Sequence, residues 1–210
     1  MYLPKQFEET SVPVLLSLIK AHPLATVVTM SASGLNANHI PMVLAESASG
    51  QMSLRGHVAR ANPMLADLAV SPQTLLVFQG AEHYITPSWY ATKKETEKVV
   101  PTWNYAVVHV KGQMRVVDDA TWLHQQLEDL TVQQESTRAM PWSVNDAPAE
   151  FLDQIKQAIV GFEVQIESMV GKWKVSQNQP SKNRATVVEG LEGEGTEKAL
   201  QMRDLVKKKL

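Results

Sequence analysis

The residues best suited to chemistry fall in three clusters. The first is Ser53-Leu-Arg-Gly-His-Val-Ala-Arg-Ala-Asn-Pro63, where a strand runs into a helix. Strand alternation puts Ser53, Arg55 and His57 on one face, while Arg60 and Asn62 stand at the helix entrance. Two arginines beside free helix N–H groups suit a phosphate or another anion. Surface arginines beside an ordinary cap would read the same way, so both interpretations stay open. The second cluster is Tyr84-Ile-Thr-Pro-Ser-Trp-Tyr90 together with Val100-Pro-Thr-Trp-Asn-Tyr105. Trp103, Asn104 and Tyr105 offer flat surfaces with a polar rim, fitting a planar heterocycle, a core or an oligomer interface. The third, Gly171 to Arg184, carries Lys172, Lys174, Lys182 and Arg184 with no acidic residue. A local charge of +4 there could grip a phosphate or simply be a solvated loop.

Familiar catalytic motifs are missing. With zero cysteines there is no disulfide, thiolate zinc site, cysteine nucleophile or cysteine-held iron–sulfur cluster. The histidines at 22, 39, 57, 83, 109 and 124 form no metal-binding pair, so no metal is expected. No Gly-x-Ser-x-Gly elbow occurs. Gly190-Leu-Glu-Gly-Glu-Gly195 has the wrong glycine order for a dinucleotide loop, and its glutamates would repel phosphate; it reads as a flexible connection into the last helix. Tyr90-Ala-Thr-Lys-Lys94 matches a dehydrogenase-like Tyr-x-x-x-Lys spacing without the glycine-rich turn that should precede it.

The elements that must position these groups read as short strands with flanking helices. Helices are expected over Thr10–Ala21, Pro63–Val70, Ala120–Gln134, Pro148–Ile159 and, at the end, Glu194–Lys208. Strands are expected over Leu24–Met30, Asn36–Ala45, Gln51–Val58, Thr74–Gln79, Glu82–Thr86 and Gly161–Val170, with a long strand pair over Trp103–Val117. No βαβ alternation occurs, which excludes a doubly wound parallel sheet. The fold class expected is mainly β, an antiparallel split β-barrel with flanking helices. Residues 1–180 form that domain and 181–210 a C-terminal helical extension of it.

Across 210 residues, 44% are hydrophobic and 20% charged, and the formal net charge is −2. That composition excludes global disorder and lacks the basic excess of a nucleic-acid coat. Met1 to Glu9 has no apolar signal core, and no apolar run reaches bilayer length, so a cytoplasmic protein without a membrane segment is expected.

Taken together, the ordered segments resemble the PaiB family of FMN-binding proteins. The stretches that match are Met1-Tyr-Leu-Pro4, Ala21-His-Pro-Leu-Ala25, Gly56-His-Val-Ala-Arg-Ala-Asn-Pro63, Tyr84–Tyr90, Val100–Tyr105 and Gly171-Lys-Trp-Lys-Val-Ser-Gln-Asn178. The tail from Arg184 to Val206 is also family-like. The resemblance implies a split barrel of the pyridoxamine-phosphate-oxidase type, a homodimer, and FMN in clefts between its subunits. On that basis Arg55, Arg60 and neighbouring His57 are assigned to the phosphate side, with Ser53 and Asn62 as further cofactor-binding candidates. Trp103, Asn104 and Tyr105 are candidates for ring and ribityl contacts, with Lys174 and Gln177 arriving from the partner chain. Hydride chemistry would then belong to the flavin, so no protein nucleophile is required. Two other functions compete. Family members are commonly named transcriptional repressors, and the basic segments at Lys172 and Lys207–Lys209 could touch DNA, although no helix-turn-helix is present. Some split barrels bind or degrade haem, for which His39, His57 or His109 could supply a ligand.

Overall fold

The computed structural model describes residues 1–209. Leu210, the last residue of the expected 181–210 extension, lies outside the described residues. The chain begins with β1 (Glu8–Glu9) and α1 (Val12–Ala21), then β2 (Leu24–Ser31), β3 (Gly34–Pro41), β4 (Val43–Glu46) and β5 (Met52–Ala59). It continues through α2 (Met64–Asp67), β6 (Gln73–Ile85), α3 (Lys93–Thr96), β7 (Thr102–Val117) and α4 (Ala120–Glu135). α5 (Ala149–Ala158), β8 (Ile159–Lys174), α6 (Ser181–Glu194) and α7 (Glu197–Lys207) complete it.

β2 shows why the strands form. Its central run Thr26-Val-Val-Thr29 is β-branched, and burial alternates with period two, placing Ala25, Val27 and Thr29 on the inner face. The following turn reverses at Gly34, whose φ of +119° an L side chain rarely adopts, and aligns β3 antiparallel with Ala25 opposite Ile40. Strand order is β3-β2-β6-β7-β8-β5-β4, with β1 added beside β8. Among the described residues the end strands β3 and β4 do not pair with each other, so the sheet is not closed. It is the open, mainly antiparallel sheet with flanking helices that the split-barrel reading requires.

Contacts divide the chain into two compact units. One comprises Met1–Leu18, Gln79–Val108 and Val170–Leu210; the other comprises Ile19–Phe78 and His109–Met169. The second unit buries Val27, Leu54, Leu76, Phe78 and Phe162 from its strands, with Met64 from α2. The first buries Leu15, Ile85, Leu191, Met202 and Val206, so α6 and α7 supply much of its core.

Glycines account for most departures from the expected elements. The expected pair over Trp103–Val117 is one 16-residue strand, because Gly112 does not turn; its missing Cβ lets the Gln165 carbonyl approach. Gly80 likewise makes room for Leu18, and β6 runs unbroken from Gln73 to Ile85. Gly190 lies within α6, where a Cβ would strike the Trp89 ring, so the expected flexible connection is helix. The expected single C-terminal helix is instead two. Gly195, at φ +69°, ends α6, and the Thr196 hydroxyl caps α7 by accepting from Ala199 N–H at 3.2 Å. The helix expected over Pro63–Val70 is regular only over Met64–Asp67. The strand expected over Asn36–Ala45 breaks at Met42, whose N–H turns back to the Pro23 carbonyl at 2.9 Å.

Candidate functional site

Ser53, Arg55 and His57 stand on the polar face of β5, in the second unit. Glu163 of β8 organises two of them: its Oε1 accepts from Ser53 Oγ at 2.9 Å and from Arg55 Nε at 3.1 Å. Its Oε2 accepts from Arg115 Nη2 at 2.5 Å. Burial opposes the charge on Glu163, but these three hydrogen bonds hold its carboxyl below the usual glutamate range. Above them lies α4, started by Asp119, whose carboxylate accepts from Trp122 N–H at 2.7 Å. Trp122 can lie flat there because Gly161 has no Cβ to meet its ring. The Arg55 guanidinium stacks on that indole at 5.6 Å. Only Nε of Arg55 is hydrogen-bonded among the described residues, which leaves its terminal nitrogens as donors.

One turn along α4 from Trp122, Gln126 is buried, and its Oε1 meets His57 Nδ1 at 2.8 Å. Arg60 is engaged differently. Its Nη1 and Nη2 grip Asp118 at 2.9 and 2.5 Å, and its Nε donates to the Gln157 carbonyl at 2.9 Å. The Asp118 bond holds Arg60 up and Asp118 down in pKa, although both groups are solvent-exposed. Asn62 caps the start of α2, accepting from Met64 N–H at 2.9 Å, and donates to Asn38 Oδ1 at 3.2 Å.

The other candidates belong to the first unit. Strand alternation separates them: Trp103 and Tyr105 share one face of β7, and the fully buried Asn104 takes the opposite face. Trp103 donates Nε1–H to Glu82 Oε2 at 2.6 Å and meets Tyr84 edge-on at 6.0 Å. Tyr105 lies 5.4 Å from the Lys172 ammonium, which also covers Tyr2. Asn104 Nδ2 donates to Ser176 Oγ at 2.8 Å, at a turn where Ser176 holds φ +63°. Lys174 Nζ donates to the Thr102 hydroxyl. The Gln177 amide clamps its own turn, accepting from Val175 N–H at 2.7 Å and donating to the Trp173 carbonyl at 2.5 Å.

Sequence reasoning missed Glu163, Gln126, Asn38 and Glu82. Glu163 alternates with Phe162 and Val164 and so reads as a solvent-facing residue; nothing local reports that two arginines converge on it. Three buried polar atoms on or beside the candidates lack a partner: Asn38 Nδ2, Gln126 Nε2 and Asn104 Oδ1. Two of these, Asn38 Nδ2 and Gln126 Nε2, are N–H donors in the second unit, on residues hydrogen-bonded to Asn62 and His57, and N–H donors suit an oxygen-rich anion such as a phosphate. No group of three His, Asp or Glu side chains is placed to hold a metal among the described residues.

Residues 1–168 match a family described as "Putative FMN-binding domain". The chain belongs to that family. Its cofactor is accordingly FMN, and the donor set just described fits it. A Bacillus subtilis relative, protease synthase and sporulation protein PAI 2, is 29% identical over 210 residues, covering 100% of this chain and 98% of that protein. This is the PaiB-type relationship that the sequence motifs resemble. An uncharacterized protein of Emericella nidulans is 34% identical over 244 residues, covering 100% of this chain and 97% of its own length. Among solved structures, the FAD and haem binding protein of Mycobacterium smegmatis superposes with a TM-score of 0.54 at 16% identity, over 80% of this chain and 73% of that one. The flavocytochrome Anf3 of Azotobacter vinelandii gives 0.55 at 14%, over 80% and 69%. At these identities the likeness is one of fold.

Proposed function

We propose that this protein is a cytoplasmic, homodimeric FMN-dependent redox protein of the PaiB type, acting as an oxidoreductase or redox-linked regulator. The observation that carries the reading is the family match over residues 1–168, joined to a donor set with unpartnered buried N–H groups. FMN, when bound, supplies hydride and single-electron chemistry, and the chain binds and orients it. Arg55 takes the phosphate through its terminal nitrogens, with Ser53, His57, Arg60 and Asn62 around it. Tyr105 is the ring-side candidate on β7, with Lys174 and Gln177 supplied from the partner subunit, while the fully buried Asn104 braces the Ser176 turn. Residues 181–210 act as an extension of the same flavin-binding domain.

Direct DNA binding is the weaker reading, because each cation of the +4 segment has an internal partner. Lys172 donates to the Tyr2 carbonyl, Lys174 to Thr102, Lys182 to Glu95 and Arg184 to the Lys209 carbonyl. Titration of the full-length protein with FMN and with riboflavin tests the flavin reading. Wild type should bind FMN at least about 10-fold tighter than riboflavin, and Arg55→Ala should lose most of that difference while keeping riboflavin affinity. Equal affinity of wild type for the two flavins would remove the phosphate assignment.

A further inference from the structure

The first unit contains a cleft of about 400 Å³ in which Trp103 is the one lining residue also named as a flavin candidate. Its wall is aromatic. Trp103 is 50% exposed and Tyr84 45%, an unusual amount of adjacent aromatic surface to leave in water. The indole is also fixed. Its N–H is tied to Glu82 Oε2 at 2.6 Å, and Tyr84 stands edge-on to it, so the open part of the cleft meets a held, flat surface. Trp89, also in the lining, is half-buried: His83 stacks on it at 6.2 Å, and Gly190 lies against its ring.

The charge of the rim identifies the ligand class. Two carboxylates, Glu82 and Glu194, face one ammonium, Lys198, and the His83 imidazole, whose nitrogens meet the Tyr84 carbonyl and Glu194. Lys198 is already bound to Glu82 Oε1 at 2.8 Å, and that bond, reinforced by the Trp103 N–H, keeps Glu82 ionised against its partial burial. Glu194 is held through Oε1 by His83 Nε2 at 3.1 Å, and its Oε2 makes no hydrogen bond among the described residues. A phosphate or carboxylate ligand would meet these two acids with no unengaged cation to receive it. A planar cation would find an indole face rich in π density and a carboxylate oxygen ready to accept from it.

We propose that the Trp103–Tyr84–Glu82–Glu194 cleft is a second binding site, for a planar organic cation of pyridinium size, separate from the flavin site. Cation–π attraction on Trp103 supplies the selectivity for charge, and Glu194 supplies the pairing oxygen.

The test uses three probes of one shape and different charge on the full-length protein: 1-methylnicotinamide, nicotinamide and nicotinate. Binding is followed by calorimetry and by ligand-detected NMR, with and without saturating FMN. The cation should bind about 5-fold or more tighter than the neutral ring, and the anion weakest. Glu194→Gln should remove most of that charge preference, and Trp103→Leu should weaken the cation about 10-fold, with melting temperatures checked for each. FMN should leave the cation affinity unchanged. Equal binding of all three probes overturns the proposal, as does absence of cation binding up to about 10 mM. Competition by FMN also overturns it, by assigning the cleft to the flavin while leaving the flavin reading intact. Loss of FMN binding in wild type, with cation binding retained, would instead remove the flavin reading alone.

Discussion

Two glutamates, Glu163 in one unit and Glu82 in the other, use the same device to different ends. Each accepts hydrogen bonds through both oxygens, and each is thereby held ionised. Glu163 gathers Ser53, Arg55 and Arg115, so its cluster carries one positive charge more than it cancels and leaves Arg55 donors over. Glu82 gathers one lysine and one indole, so its own charge is matched, while the neighbouring Glu194, held by His83 through one oxygen, keeps the other open to the cleft. A carboxylate used as a scaffold therefore does not fix the sign of the site it builds. What it holds decides whether an anion or a cation will fit.

The Glu163 cluster should be the more fragile of the two, and Gly161→Val is the harshest way to break it. A Cβ there overlaps the Trp122 ring and crowds the Val117 carbonyl, so α4 must lift from β8. We expect a loss of about 3 kcal/mol by denaturant unfolding, accompanied by weaker FMN binding as the support under Arg55 shifts. A loss below about 1 kcal/mol would mean that α4 has room to move and does not set the position of Arg55.

Glu163→Gln comes next. It removes the charge that two guanidinium groups share at a carboxylate whose side chain is only 13% exposed. About 2 kcal/mol of stability should go, less than for a fully buried pair because Arg115 is exposed. Linkage gives this a pH signature. The folded-state pKa of Glu163 is depressed, so its contribution is present above the unfolded value of about 4.3 and is lost as pH falls through the folded value. The wild-type advantage over Glu163→Gln should therefore shrink below about pH 4 and be level through neutrality. A difference that persisted unchanged to pH 2 would show that packing, and not charge, is what Glu163 contributes.

The same contrast explains what could be read from sequence. Residues that meet their partners locally were legible: Asn62 before Pro63 at the helix entrance, and the strands that became β2 and β8. The flavin motifs were legible as ordered segments. Illegible were the partners that topology brings from afar, such as Glu163 to Arg55 across 108 residues and Trp103 to Glu82 across 21. Glycine misled in a consistent way. Gly80, Gly112 and Gly190 mark close approaches of Leu18, the Gln165 carbonyl and Trp89, and a single sequence cannot separate that use from a turn. The +4 segment stayed open in sequence because the groups that engage it come from Tyr2, Glu95, Thr102 and Lys209.

At the Glu82 cluster the effects should be smaller. Glu82→Gln keeps an acceptor for the Trp103 indole but removes the negative charge that pairs with Lys198, whose side chain is 71% exposed. A stability change of about 0.5 kcal/mol is expected, within reach of a careful chemical melt. Trp103 emission should shift little. A large red shift would mean that the ionic bond alone holds the indole in place.

The smallest effect on stability belongs to the Arg60–Asp118 pair, and it decides whether Arg60 is part of the flavin site. Both side chains are exposed, so Arg60→Ala and Asp118→Asn should leave the melting temperature within error. Their effects on flavin should oppose each other. Asp118 occupies both terminal nitrogens of Arg60, the donors a phosphate would need. Asp118→Asn removes that competing charge and should raise the preference for FMN over riboflavin by about 3-fold, while Arg60→Ala should lower it. If neither variant changes the FMN-to-riboflavin ratio, Arg60 is a surface arginine answering a surface aspartate, and Arg55 grips the phosphate without it.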